Sequence, residues 1–435
     1  MENSFDAIII GAGVIGACTA FELSKKGWNT LSIDKNPESG YGSTSASSAI
    51  IRTYYSAFET CAIAYEGWHY WQDWENYIGD VDELGAIKYR ETGCLVIKTD
   101  QNHNLKKICE MMTRIGCSYE DIQTDKITDY LPIADTQKFY PAKRMEDEGF
   151  GEPTDGKVNG AVYFPSGGYV NDPKLAAHNA QRAAEAHGAT FLFNSEVTKI
   201  LKNGERTCGV QLSDGKEFFA PVVINVAGPF SSKINAMAGV EKGMNITTRA
   251  LRQEVAYVPS PQGFDFEKDG LVYSDSDIQT YCRPELGNTV SIGSEDPFCD
   301  EKEWVDNPDD YNQEFTDQWT VQVIRMAQRL TGLPIPNTAS GIVALYDVTE
   351  DWMPIYDKSD LPGFYMGVGT SGNQFKNAPV AGKILTALVE KCETGHDHDN
   401  DPVIFHLDHI DKDISLGSFS RNREINQNSS FSVIG

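Results

Sequence analysis

The sequence predicts an α/β fold in two parts. One is a discontinuous domain built on a parallel sheet; the other is an antiparallel β-sheet domain with helices. Three observations predict it. The apolar run Ala7-Ile8-Ile9-Ile10 leads straight into Gly11-Ala12-Gly13-Val14-Ile15-Gly16 and then a helical segment. Strand-then-helix order resumes over residues 363 to 391. Between lie short alternating runs, such as Glu254-Val255-Ala256-Tyr257-Val258 and Thr289-Val290-Ser291-Ile292-Gly293, the pattern of an antiparallel sheet.

Each glycine of the first turn has a physical role. Gly11 permits the tight exit from the strand, Gly13 lets a pyrophosphate approach the backbone, and Gly16 lets the helix pack closely on the sheet. The phosphates would sit at the positive end of the helix, among unpaired N–H groups. The helix carries Ala17, Ala20, Phe21 and Leu23 and ends at Lys25-Lys26-Gly27, a basic last turn and a glycine stop. The next apolar run, Thr30 to Ile33, closes on Asp34, placed to bind a ribose hydroxyl. This is a Rossmann-like dinucleotide site.

Further along, residues 58 to 76 read as an aromatic helix (Phe58, Tyr65, Trp68, Tyr70, Trp71, Trp74), a packed core face rather than a ligand wall. Gly93 to Lys98 reads as a strand, followed by an amphipathic helix through Leu105, Ile108, Met111, Met112 and Ile115. A helix opens at Asp172-Pro173. Strands follow at 189–193, 197–201, 209–212 and 222–226, the last ending at Gly228-Pro229. After the antiparallel stretch comes a helix with Val321, Ile324, Met326 and Leu330. From Gly395 the chain turns polar and irregular, and His396 and His398 read as a solvated loop, so no metal is expected. The first domain is assigned to 1–88, 159–231 and 340–400, the second to 89–158 and 232–339, and a C-terminal tail to 401–435.

The chain of 435 residues is 40% hydrophobic and 11% aromatic, a globular composition. Its 37 basic and 63 acidic side chains leave a formal charge of −26, which argues against nucleic acid and anionic membrane as partners. The opening strand leaves no room for a signal peptide, and no apolar run is long enough to span a bilayer. The nine cysteines are scattered without a Cys-x-x-Cys pair and read as reduced thiols. A cytoplasmic protein is expected.

Several separated segments together resemble the FAD-dependent D-amino acid oxidase superfamily, in its sarcosine oxidase and glycine oxidase branch. They are the glycine turn, Gly42-Ser43-Thr44-Ser45-Ala46-Ser47-Ser48-Ala49-Ile50-Ile51-Arg52, Gly167-Gly168-Tyr169-Val170-Asn171-Asp172-Pro173, Val197, Asn225-Val226-Ala227-Gly228-Pro229-Phe230-Ser231, and Gly369-Thr370-Ser371-Gly372-Asn373-Gln374-Phe375-Lys376. A nicotinamide-binding protein would not explain the last four.

The resemblance implies a glutathione-reductase-type FAD domain. It implies that FAD contacts Gly11, Gly13, Val14, Ile15, Gly16, Asp34 and Lys35. Further contacts are implied from Gly42, Ser43, Thr44, Ser48, Ala49, Ile50, Val197, Ala227 and Gly228, and from Gly372, Asn373, Gln374, Phe375 and Lys376. It also implies a helix starting at the Gly42 turn.

An amino acid substrate is best oriented through its carboxylate by a bidentate arginine and a second cation. The resemblance puts Arg52 and Lys376 in those roles and Tyr346 on the ring side of the pocket. Arg52 could instead pair with a structural carboxylate, Lys376 could be a solvated lysine, and Tyr346 could be a core aromatic. Ala344 stands where the covalent member of the family has cysteine, so non-covalent FAD is expected. Ala49 and Ser291 fall where two basic residues accompany oxygen activation, and Glu295 near the place of a pocket histidine. Those two departures weigh toward a dehydrogenase, while the resemblance itself implies oxidation of a secondary amino acid to an imine with O2 as acceptor and release of H2O2. A dehydrogenase using an electron carrier, a primary amino acid oxidase and an FAD-binding subunit with a partner are the alternatives.

Overall fold

The computed structural model describes residues 3–79, 82–100, 102 and 104–434. Residues 1, 2, 80, 81, 101, 103 and 435, which the domain and tail ranges above include, lie outside the described residues. A six-stranded sheet forms around β1 (Ala7–Ile10). β1 pairs in parallel with β2 (Thr30–Ile33) on one side and with Val222–Asn225 on the other. Thr190–Leu192 extends the sheet beyond β2, and Phe364–Val368 extends it beyond Val222–Asn225. Ile355–Lys358 closes that edge antiparallel. All four residues of β1 are buried, which is why the run is continuously apolar rather than alternating. The helix α1 (Val14–Lys25) packs between Pro173–Ala186 and Ala378–Glu393.

The second sheet has nine strands. Its order runs Trp304–Val305, Arg249–Pro259, Thr289–Ser294, Thr280–Glu285, Val272–Asp275, Cys94–Ile97, Ala161–Phe164 and Glu120–Ile122, and Gly341–Val348 pairs with Arg249–Pro259. It is antiparallel except where Val272–Asp275 runs parallel to Cys94–Ile97. The helix Asp317–Arg329 covers one face, with Trp319, Val323 and Met326 in the apolar core.

Three expectations need correction. Ala161–Phe164 and Gly341–Val348 belong to the nine-stranded sheet, although the sequence ranges put them in the first domain. Both are edge-to-edge continuations of β pairing, which sequence alone does not allot to one sheet or the other. The segment 41–46 is a run of turns, not a helix. The Ser45 hydroxyl donates to the Tyr41 and Gly42 carbonyls, a local alternative to helical pairing. The tail is not irregular. Ile404–Leu407 pairs with Lys412–Ser415 as a hairpin, and His398 is buried, accepting from the Val403 amide at 3.0 Å. Among the described residues no helix is long and apolar enough to cross a membrane, and the cysteines are free.

Candidate active site

A cavity of about 550 Å³ runs from the β1–α1 turn to the nine-stranded sheet. At its start the chain is shaped by close backbone approach. A Cβ on Gly11 would lie 2.5 Å from the Val226 carbonyl oxygen, and one on Gly16 would lie 2.0 Å from that of Gly11. Gly16 therefore serves packing and does not line the cavity. Gly11, Gly13, Val14 and Ile15 do line it. α1 begins with no side-chain cap at Gly13 and no acid in its first turn, so its positive end is left for an anion. The Thr44 hydroxyl accepts from the Val14 amide at 3.1 Å. Asp34 accepts from the Ala12 amide at 2.8 Å and the Asn36 amide at 2.9 Å, which fixes its carboxylate at the cavity wall. Lys35 pairs with Asp309 and lies 3.7 Å above the Phe230 ring.

The other residues singled out by sequence gather along the same cavity: Gly42, Ser43, Thr44, Ser48, Ala49, Ile50, Val197, Ala227, Gly228, Gly372, Asn373, Gln374, Phe375, Lys376, Arg52 and Tyr346. Ser43 donates to the Leu345 carbonyl at 2.9 Å and so ties its loop to the nine-stranded sheet. Ala49 is buried in the left-handed region at φ 47°, an uncommon conformation for a residue with a Cβ. Gly372 has φ +67°, and a Cβ there would lie 2.4 Å from the Tyr346 ring. Tyr346 is thus both cavity lining and packing partner to that turn.

The far end of the cavity is cationic. Arg52 donates to the carbonyls of Tyr54 and, at 3.0 Å, Val433. Lys376 Nζ donates to the Tyr55 hydroxyl at 3.0 Å and the Asn373 carbonyl at 2.7 Å. Both cations are buried. Burial, then repulsion from Arg52, holds the Lys376 ammonium well below the usual lysine range. Neither residue takes its bland alternative: no salt bridge to Arg52 is formed among the described residues, and Lys376 is not solvated.

The aromatic helix α2 (Phe58–Gln72) explains how the Lys376 turn is held. Trp71 stacks on Phe375 at 5.1 Å, and its indole N–H donates to the Lys376 carbonyl at 2.7 Å.

Two positions near the resemblance's departures are now placed. Glu295 is buried behind the cavity-lining Ser274, which donates to it at 2.6 Å, while Ser276 donates at 3.1 Å. Burial pushes its carboxyl up to about 7. Arg283 stands opposite Ser291 in the strand register, and its Nε donates to the Ser48 carbonyl at 2.5 Å. Arg283, paired with Glu285 at 2.7 Å, therefore stands next to Ala49, although neither Ala49 nor Ser291 is basic.

Sequence reasoning missed Tyr55, Ser274, Val433 and Ile434. Tyr55 lies three residues after Arg52 and was within reach of inspection. The other three arrive only through tertiary folding.

The arrangement fits FAD. The helix head, with no acid in its first turn, meets the pyrophosphate's charge, the Asp34 carboxylate suits a ribose hydroxyl, and the cavity continues past Gly372–Phe375 to the basic end. Residues 6–388 match the family model of the FAD dependent oxidoreductases (DAO), and the chain belongs to this family. It is 24% identical over 421 residues to the sarcosine oxidase subunit beta of Arthrobacter sp, covering 91% of this chain and 93% of that one. It is 27% identical over 405 residues to the peroxisomal sarcosine oxidase of Mus musculus, covering 90% and 94%. The fold is similar to that of glycine oxidase from Geobacillus kaustophilus, with a TM-score of 0.73 at 19% identity, covering 98% of this chain and 100% of that one.

Proposed function

We propose that this FAD-dependent oxidoreductase oxidises the C–N bond of a secondary, N-substituted amino acid to an imine, which water then hydrolyses. The observation that carries this reading is the pair Arg52 and Lys376. Two buried basic side chains converge at one end of the cavity whose other end is the dinucleotide turn. Relatives named for sarcosine and glycine support a small amino acid as substrate.

Arg52 and Lys376 would grip the substrate carboxylate, Arg52 through the N–H groups its two carbonyl partners leave free. Fixing the carboxylate fixes the α-carbon and nitrogen, so orientation rather than new covalent chemistry is the protein's main contribution. FAD, when bound, supplies the acceptor for the hydride leaving the C–H bond next to nitrogen. Gly13, Val14, Ile15 and Thr44 would hold its pyrophosphate, Asp34 its ribose, and Gly372–Phe375 with Ala49 and Ile50 its ring end. Tyr346 and Tyr281 line the cavity and would wall its substrate end. Ala344 has no thiol to offer, so the cofactor is held without a covalent bond. The parallel-sheet part would carry the cofactor and the nine-stranded part would cover the substrate.

O2 is the proposed acceptor, giving H2O2. The buried Arg283 donates to the Ser48 carbonyl next to Ala49, with its own charge paired to Glu285 at 2.7 Å. Oxygen consumption with N-methyl amino acids, alongside H2O2 and aldehyde assays, tests this. Equal yields of all three are expected. Flavin reduction by substrate without oxygen uptake would instead mark a dehydrogenase using a carrier.

A second reading follows from the Arthrobacter relative, which is a subunit. On that reading the chain works beside a partner subunit. Full turnover by the purified chain alone would dismiss it.

A further inference from the structure

The segment that follows the C-terminal hairpin returns to the active site. Arg421 is buried and pairs with Asp357 at 3.0 Å, Asp360 at 2.5 Å and Asp399 at 2.9 Å. Arg423 pairs with Asp351 at 2.7 Å and donates to the carbonyls of Met353 and Pro354. These two arginines anchor the chain on the parallel-sheet part. Beyond them, Val433 is buried with Leu251, Tyr281, Val348 and Trp352, and Ile434 packs against the same cluster. Val433 and Ile434 both line the cavity. The Val433 carbonyl accepts from Arg52 across 381 residues of sequence.

That bond has a geometric consequence. Arg52 carries five N–H donors. Carbonyls of Tyr54 and Val433 engage one each of its two terminal nitrogens. Two anchors on opposite nitrogens fix the plane of the guanidinium and still leave donors for a carboxylate. With one anchor only, the side chain regains rotamer freedom that ligand binding must then remove.

We propose that Val433 and Ile434 form a wall of the substrate pocket. The Val433 carbonyl positions Arg52 for the substrate carboxylate, and the Val433 and Ile434 side chains limit the size of the substrate's substituent. Val433 is a positioning and specificity residue rather than a catalytic one. The inference rests on the reading of Arg52 as the carboxylate ligand.

The test uses the FAD-loaded protein and the change in flavin absorbance on titration with acetate and with the bulkier 4-methylpentanoate. One variant ends at Ser430 and keeps both anchoring arginines. The other, Val433→Gly, keeps the carbonyl and removes only the side chain. The shortened protein should bind acetate at least tenfold more weakly than the parent. Val433→Gly should bind acetate within threefold of the parent and 4-methylpentanoate at least fivefold more tightly.

Parental affinities in both variants would overturn the wall while leaving the reading of Arg52 intact. Tighter acetate binding by the shortened protein would also overturn it, showing that the tail competes for Arg52. If the shortened protein does not fold, the Val433→Gly titration decides alone. If the parent binds neither acid, the underlying reading of Arg52 fails, and the wall with it.

Discussion

Arg52 and Lys376, 324 positions apart in the chain, flank one aromatic ring. The Arg52 guanidinium lies 4.1 Å from the centre of the Tyr55 ring, and Lys376 Nζ lies 5.4 Å from it. The phenol hydroxyl accepts from Lys376 and donates to the Asn373 carbonyl at 2.6 Å. Arg52 rests against the Tyr55 ring while Lys376 meets its hydroxyl, so one tyrosine contacts both basic groups. No carboxylate in the described residues pairs with either cation. The pair is set to receive an anion from outside.

Arg52→Ala removes the bidentate partner. Hydrogen bonds to charged groups contribute roughly 1.5–3 kcal/mol, so kcat/KM for carboxylate substrates should fall about 10- to 200-fold. Arg52→Lys should recover little of it, because an ammonium cannot reproduce the planar fork. An unchanged KM in Arg52→Ala, measured by steady-state oxygen uptake, would remove Arg52 from the site.

Lys376 makes ligand binding depend on pH. Its pKa is lowered by burial and by Arg52, so the neutral amine gains population as pH rises toward the ordinary lysine range. A bound carboxylate favours the charged form, so binding takes up a proton. Acetate affinity should therefore fall as pH rises through the depressed pKa, read from flavin absorbance over a pH series. Lys376→Met should bind acetate weakly at every pH. An affinity independent of pH in the parent would contradict this.

Glu295 should make folding less favourable as pH rises. Its carboxyl is raised from 4.5 to about 7, by burial first. The neighbouring Asp275 adds to the rise, while the Ser274 and Ser276 hydroxyls oppose it. Between these two values the folded protein keeps a proton that the unfolded chain has lost. Stability from this group is complete below about pH 4.5 and gone above about pH 7. Glu295→Gln abolishes that loss, so the variant should gain up to about 3 kcal/mol relative to the parent across the window. Parallel urea titrations at pH 5 and pH 8 measure it. A stability difference that is the same at both would count against the buried, uncompensated carboxyl.

Ala344 lines the cavity with a methyl group only. Acid precipitation should release all the yellow colour into the supernatant. A yellow pellet would show a covalent bond and redirect attention to another side chain.

Much of this was legible in the sequence where chemistry and local spacing coincide. The Gly11–Gly16 turn is one case, because steric contacts of 2.0 and 2.5 Å leave no room for a Cβ at Gly16 or Gly11. Arg52 and Lys376 were legible through resemblance of their flanking residues. The 41–46 turns were not, since serine and threonine hydroxyls serve a helix head and a local turn equally well. The tail hairpin was hidden by polar residues, because Ile404–Leu407 and Lys412–Ser415 bury little of their length. The contact between Val433 and Arg52 has no local signature. It depends on Arg421 and Arg423 meeting aspartates that only the folded sheet assembles.

The most direct test of the central claim is anaerobic mixing of the FAD-loaded protein with sarcosine and longer N-methyl amino acids, and with the corresponding N-methyl amines that lack the carboxylate. The account predicts bleaching of the flavin band by at least one N-methyl amino acid. It predicts little or none by the amines, and slowed bleaching in Arg52→Ala. Equal bleaching by acids and amines, or none by any acid while dithionite still reduces the flavin, would contradict it.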